Sequence, residues 1–120
     1  MTQFAGALAQ NKAECANFKT GKFNYRDSAS NVVNVIRTNK FQSETNMQTG
    51  VKTKLKIHWI ADCTYRLTQI WSNDRARRRN NRSVTDVKIT NVYNDRYDYS
   101  CACKDSSYSK TSGGTMVFIK

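Results

Sequence analysis

"VKTKLKIHWI", residues 51–60, alternates without a break. Val51, Thr53, Leu55, Ile57 and Trp59 fall on one side of an extended chain, and Lys52, Lys54, Lys56 and His58 on the other. A period of two over such a run predicts a β-strand with one face on a core and the other in water. "YRLTQIW" repeats the scheme, which sends Tyr65, Leu67, Gln69 and Trp71 inward. Both inward sets are odd-numbered, so a hairpin between the two strands must pair positions whose numbers sum to an even value. That predicts a loop of odd length around Ala61 to Thr64.

The same parity extends along the chain. Val87, Ile89, Asn91 and Tyr93 share a face, as do Tyr97, Tyr99, Cys101 and Cys103. A three-residue loop, Asn94-Asp95-Arg96, keeps the two sets together, whereas a two-residue turn would throw the tyrosines to the other side. Upstream, "KFNY", "VVNVIR" and "FQSETNM" read as strands, and "TMVFIK" as the last one. Thr49-Gly50 and Gly113-Gly114 are turn signals. About eight short strands, joined by short loops without proline or a long helix, indicate an all-β, single-domain fold. An antiparallel up-and-down meander closed into a small eight-stranded, lipocalin-like barrel removes exposed edges. A two-sheet β-sandwich is the second architecture. Two segments interrupt the pattern: Ser72 to Ser83, and Asp105 to Gly114. No repeat or domain boundary divides the 120 residues, beyond a division between residues 1–14 and a β domain over 15–120.

The formal charge is +11, from 20 Lys and Arg against 9 Asp and Glu. Such a surplus favours acidic partners, without choosing among nucleic acid, acidic glycan and lipid headgroups. No stretch is long and apolar enough to cross a bilayer as a helix. Four cysteines, Cys15, Cys63, Cys101 and Cys103, fit an exported domain stapled by disulfides. Cys101 to Cys103 is the least favoured pairing, because an extended strand sets those Cα atoms about 6.5 Å apart across a short ring. That leaves Cys15 and Cys63 each expected to pair with one of the other two, or else one pair and two free thiols. Ala7-Leu8-Ala9 is the small-x-small pattern read by a signal peptidase, so residues 1–9 read as the end of a signal peptide or as a short alanine-rich helix across one end of the domain.

"CANFKTGKFNY" (15–25), "VIRTNKFQSE" (35–44) and "KIHWIADCTYRL" (56–67), with a looser tail in "YDYSC" and "MVFIK", resemble a family of small exported proteins of Bacteroidetes, especially flavobacteria. Their genomes often label them "DNA topoisomerase IV". The resemblance implies an extracytoplasmic β-rich protein of unknown activity and supplies no catalytic residues. A topoisomerase is excluded by size and by the lack of a phosphate-cradling glycine loop. The arginine-rich loop and the Cys101-Ala-Cys103 pair depart from the family pattern.

"RARRRNNR" (75–82) puts Arg75, Arg77, Arg78, Arg79 and Arg82 on one loop. These five could grip phosphates or sulfates as bidentate forks, and Trp71 and Tyr65 could add stacking. The opposing view is a solvated, mobile loop, since Trp71 has core parity and the run is not helical. His58 is the only histidine; a ribonuclease-like mechanism would pair it with a carboxylate such as Glu44, yet it lies among lysines. Cys-x-Cys with His58 makes an incomplete metal set. No cofactor motif is present, so neither metal nor cofactor is expected. The inward aromatics, Phe23, Tyr25, Trp59, Tyr65, Trp71, Tyr97 and Tyr99, either fill the core or line a pocket for a small apolar ligand. The leading expectation is a non-enzymatic binding or structural module at the cell surface or in the periplasm. Its rivals are a polyanion binder, a subunit that self-associates by adding residues 1–14 to a neighbour's sheet edge, and a hydrolase.

Overall fold

The structure, a computed structural model, describes residues 12–101, 104–105, 108–109 and 112–119. A short helix, α1 (Lys12–Ala16), precedes ten strands: β1 (Gly21–Arg26), β2 (Val32–Arg37), β3 (Phe41–Asn46), β4 (Lys52–Ala61), β5 (Thr64–Ser72), β6 (Val84–Val92), β7 (Arg96–Cys101), β8 (Lys104–Asp105), β9 (Tyr108–Ser109) and β10 (Ser112–Ile119). Eight of them close an antiparallel barrel in the order β1-β10-β7-β6-β5-β4-β3-β2, and β8 pairs with β9 as a separate hairpin. Each barrel strand neighbours the next along the chain, so the meander reading holds and the sandwich does not. Closure leaves the barrel itself without a free sheet edge; residues 1–11 lie outside the described set.

The alternation sets the inside. Phe23, Val35, Ile57, Tyr65, Leu67, Val87, Ile89, Tyr97 and Met116 are buried in one cluster. The Lys52, Lys54, Lys56 and His58 side of β4 is exposed, where a membrane-spanning barrel would carry an apolar band. Among the described residues no helix is long and apolar enough to cross a membrane.

Three bulges decide where the parity expectation holds. In the β4–β5 hairpin Ile57 faces Leu67 and Trp59 faces Tyr65, but Ala61 faces Thr64. The turn is therefore two residues, Asp62-Cys63, and not of odd length; Ile60 is the extra residue that restores the inward set. A second bulge in the same pair, where Leu55 faces Gln69 and Lys54 faces Trp71, makes Ile70 the extra residue. Beyond it the face flips: Trp71 is 46% exposed, and Ser72 is fully buried instead, its Oγ donating to the Lys52 carbonyl at 2.8 Å. In the β6–β7 hairpin, Ile89 faces Tyr99 and Asn91 faces Asp98, leaving Thr90 as the extra residue. Val92 packs on the core, while Asn91 and Tyr93 face out, against the expectation. Here the two-residue turn Asn94-Asp95 does occur, with the Tyr93 N–H donating to the Arg96 carbonyl at 2.8 Å. The bulge, not the loop length, returns Tyr97, Tyr99 and Cys101 to the inside. Gly113-Gly114 is strand rather than turn: Gly114 faces Tyr99 across the β7–β10 pair.

Turns alternate between the two ends of the barrel, and one end is sealed. Phe18, 2% exposed, fills it and packs on Tyr97, Phe23 and Phe118 at ring separations of 5.2, 6.2 and 6.4 Å. Cys15 of α1 is bonded to Cys63 of the β4–β5 turn, with Cα atoms 5.4 Å apart. The two are joined to each other and neither reaches Cys101 or Cys103. The expectation that Cys15 and Cys63 would reach Cys101 or Cys103 failed because α1 is bonded to the β4–β5 turn at the sealed end, a placement no strand periodicity encodes. Cys101 is also disulfide-bonded; Cys103 lies outside the described residues. No described cysteine is free.

Candidate ligand-binding site inside the barrel

The sealed half of the interior is organised by a cation. Arg37, the last residue of β2, is 2% exposed. Its Nε donates to Gln42 Oε1 at 2.8 Å, its Nη1 to the Phe18 carbonyl at 2.8 Å, and its Nη2 to the Tyr97 and Tyr65 hydroxyls at 3.0 and 3.3 Å. The guanidinium carbon lies 4.7 Å from the ring centres of both Phe23 and Tyr65. The Tyr65 and Tyr97 hydroxyls share a further hydrogen bond of 2.7 Å. Burial works against the Arg37 charge, but the two phenols hold it, and its pKa moves up. Burial, reinforced by Tyr97, holds the Tyr65 phenol well above its usual value. A planar fork with five donors can serve four acceptors in this way, and an ammonium cannot.

Gln42 carries the network toward the open end. While its Oε1 accepts from Arg37, its Nε2 donates to Glu44 Oε2 at 2.8 Å. The Tyr25 hydroxyl donates to Glu44 Oε1 at 3.1 Å. Burial first, then the adjacent Glu44 charge, pushes the Tyr25 phenol strongly up. Among the described residues no lysine, arginine or histidine comes within salt-bridge distance of Glu44.

Above this floor lies a cavity of about 520 Å³. Leu55, Leu67, Val87 and Met116 form apolar wall, Tyr25, Tyr65 and Tyr99 add aromatic surface, and Gln42, Glu44 and Thr85 supply polar groups. Asp27 and Ser28 of the β1–β2 turn and Arg77 of the β5–β6 loop mark the mouth. Gly114 makes space: a Cβ there would meet the Tyr99 hydroxyl at 2.8 Å and its Cζ at 3.1 Å. Glycine at this position lets the Tyr99 ring lie against β10 instead of filling the cup. Burial and neighbouring Tyr97 push the Tyr99 phenol up to about 12.

The predicted pocket residues divide. Tyr65 and Tyr99 line the cavity. Tyr97 is fully buried beneath it as a partner of Arg37. Trp59 packs on Tyr65 on the sealed side, ring centres 4.8 Å apart and planes tilted by 51°, with Lys19 Nζ 5.3 Å from its ring centre. Trp71 is outside altogether, turned there by the bulge at Ile70.

Arg75, Arg77, Arg78, Arg79 and Arg82 are all exposed. Their loop contains a 3-10 helix over Arg77–Asn80, contrary to the non-helical expectation, and it is pinned. Buried Gln69 donates through Nε2 to the Arg77 carbonyl at 2.7 Å and to Asn81 Oδ1 at 3.2 Å. The Gln69 backbone bonds Arg82 and Ser83. Asp74 accepts the Ala76 N–H through Oδ1 at 3.0 Å, just before that helix, and pairs with Arg77 Nε at 3.8 Å. His58 faces outward opposite Arg66 on β5, whereas Glu44 points inward, so the barrel wall separates the acid–base pair the sequence offered. Among the described residues no cluster of three metal-ligating side chains occurs.

Arg37, Gln42 and Glu44 escaped sequence reasoning as a group. The sequence hid them: Gln42 and Glu44 alternate against Phe41 as an outward polar face would, and Arg37 sits at the end of its strand beside the turn. No protein-family model, no curated protein and no solved structure matches this chain.

Proposed function

We propose that this protein is an exported, non-enzymatic binding module that holds a small molecule in the cup of its barrel. The observation that carries the reading is the cavity of about 520 Å³, sealed at one end, apolar in its walls and furnished with a few convergent polar groups. That combination of shape and chemistry characterises small-molecule sites. The Cys15–Cys63 bond fits an oxidising compartment, the periplasm, the cell surface or the medium, in line with the resemblance to exported flavobacterial proteins. The test is titration with the neutral fluorescent probe N-phenyl-1-naphthylamine, with Thr85→Phe as a variant that fills the upper wall. Saturable one-to-one binding that Thr85→Phe abolishes, with the circular dichroism unchanged, supports the cup. Probe binding that ignores the variant refutes it.

A second reading has its own observation. The bulge that turns Trp71 outward sets an exposed indole at the base of the arginine loop, and Lys54, its partner across the β4–β5 pair, lies 4.6 Å from the Phe41 ring centre. Exposed aromatics among cations suit a single-stranded polyanion. Binding of oligonucleotide or heparin in a salt series decides this. A steep salt slope that flattens when the five arginines become serine supports the surface; a slope unchanged by those substitutions removes it.

A further inference from the structure

We propose that the cup selects an organic ammonium ion carried on an apolar body, with Glu44 as the counter-ion. This rests on the cup reading and names its ligand class. Glu44 is a carboxylate inside the barrel wall, on the cavity, without a cationic partner among the described residues. The nearby buried cation, Arg37, spends its Nε on Gln42 and reaches Glu44 only through that amide. Each Glu44 oxygen accepts one protein hydrogen bond, from Tyr25 or from Gln42, which fixes the carboxylate in place. A carboxylate oxygen has capacity for a second donor, and an ammonium group brings three. Tyr25, Tyr65 and Tyr99 line the same space and add aromatic surface near the carboxylate.

The alternative headgroup fits less well. A ligand carboxylate would be drawn to the cationic rim, where Arg77 already pairs with Asp74 and Arg26 donates to the Ser30 carbonyl. Its apolar tail would then lie against Glu44 and Gln42 and strip water from a charge with nothing in return. Head-down binding of an amine satisfies that charge and leaves the tail against Leu55, Leu67, Val87 and Met116. The positive surface opposes entry of any cation, but exterior charges are screened beyond about 8 Å at physiological salt, whereas contact with Glu44 is direct.

Three probes with one tail separate the cases: decylammonium, 1-decanol and decanoate, titrated calorimetrically at physiological salt into wild type and Glu44→Gln. The expected result is one-to-one binding with decylammonium about tenfold or more tighter than decanol, a factor worth about 1.4 kcal/mol. In Glu44→Gln the amine should fall to the level of the alcohol, and the alcohol should be unchanged. Equal affinities for all three probes overturn the ammonium selection and leave the cup standing. Tightest binding of decanoate, unaffected by Glu44→Gln, assigns the headgroup to the arginine rim and also overturns it. Failure of every probe to bind overturns the cup itself. If Glu44→Gln does not fold, the amine-to-alcohol ratio in wild type decides alone.

Discussion

Substituting Arg37 by lysine keeps the charge and removes the fork. The guanidinium serves four acceptors at 2.8 to 3.3 Å and stacks 4.7 Å from two ring centres. An ammonium has three donors in a tetrahedral set and a shorter reach, so at least one of Gln42 Oε1 and the Phe18 carbonyl loses its partner in a dry site. A buried acceptor left unsatisfied costs about 1–3 kcal/mol, and the lost stacking about 1 kcal/mol more. Together these predict that Arg37→Lys lowers unfolding stability by about 2–4 kcal/mol, a large part of the total for a domain of this size. The assay is urea denaturation followed by far-ultraviolet circular dichroism and by tryptophan fluorescence, with the disulfides intact. Arg37→Met serves as the comparison. It removes the buried charge along with its desolvation cost, and it leaves the two tyrosine hydroxyls bonded to each other. It also leaves both Gln42 Oε1 and the Phe18 carbonyl without the arginine's donors, so its loss should be at least as large as that of the lysine variant. An Arg37→Lys protein within about 0.5 kcal/mol of wild type, inside the range of ordinary surface changes, would refute the view that fork geometry organises the floor.

Replacing Cys15 and Cys63 together by alanine opens a loop spanning 48 residues; chain entropy puts the loss near 4 kcal/mol, measurable by the same urea titration. Alkaline pH should also destabilise the barrel. Tyr25 and Tyr65 are held well above their usual value and Tyr99 sits at about 12, while the unfolded chain ionises its phenols near pH 10. The unfolded state therefore loses protons first, so the stability these groups contribute is intact below about pH 10 and is lost as pH rises above it. Absorbance at 295 nm should show these phenols ionising only as the protein unfolds; their normal titration in folded protein at about pH 10 would contradict their burial. Gly114→Ala sets a methyl 2.8 Å from the Tyr99 hydroxyl, so it should drive that ring into the cup and weaken the neutral probe, at a stability cost of about 1–3 kcal/mol.

Much of the barrel could be read from residues 51–60, because one buried face imposes a period of two and closure follows from eight short strands. The expectation broke where a bulge adds a residue that no local pattern announces. Trp71 and Tyr93 have core parity in the sequence and face water in the structure; Ile70 and Thr90 are ordinary strand residues whose unpaired state depends on the neighbouring strand. The turns were misjudged for the same reason. Parity correctly demanded that Tyr97 and Tyr99 face in, but it could not distinguish an odd loop from a two-residue turn compensated by a bulge. The site was hidden for a different reason. Arg37, Gln42 and Glu44 look like the polar half of an alternating strand, and only the closed barrel shows that they form the inner half. The arginine run drew attention by composition alone, and Gln69, which pins it, gave no such signal.

The most direct test follows methyl resonances during titration with decylammonium. Leu55, Leu67, Val87 and Met116 line the cavity, whereas Ile36, Met47, Ile60 and Val84 are exposed. A cup that receives an ammonium-headed ligand predicts saturable shifts at the first set and none at the second. Shifts confined to the exposed methyls, with the interior unmoved, would contradict it.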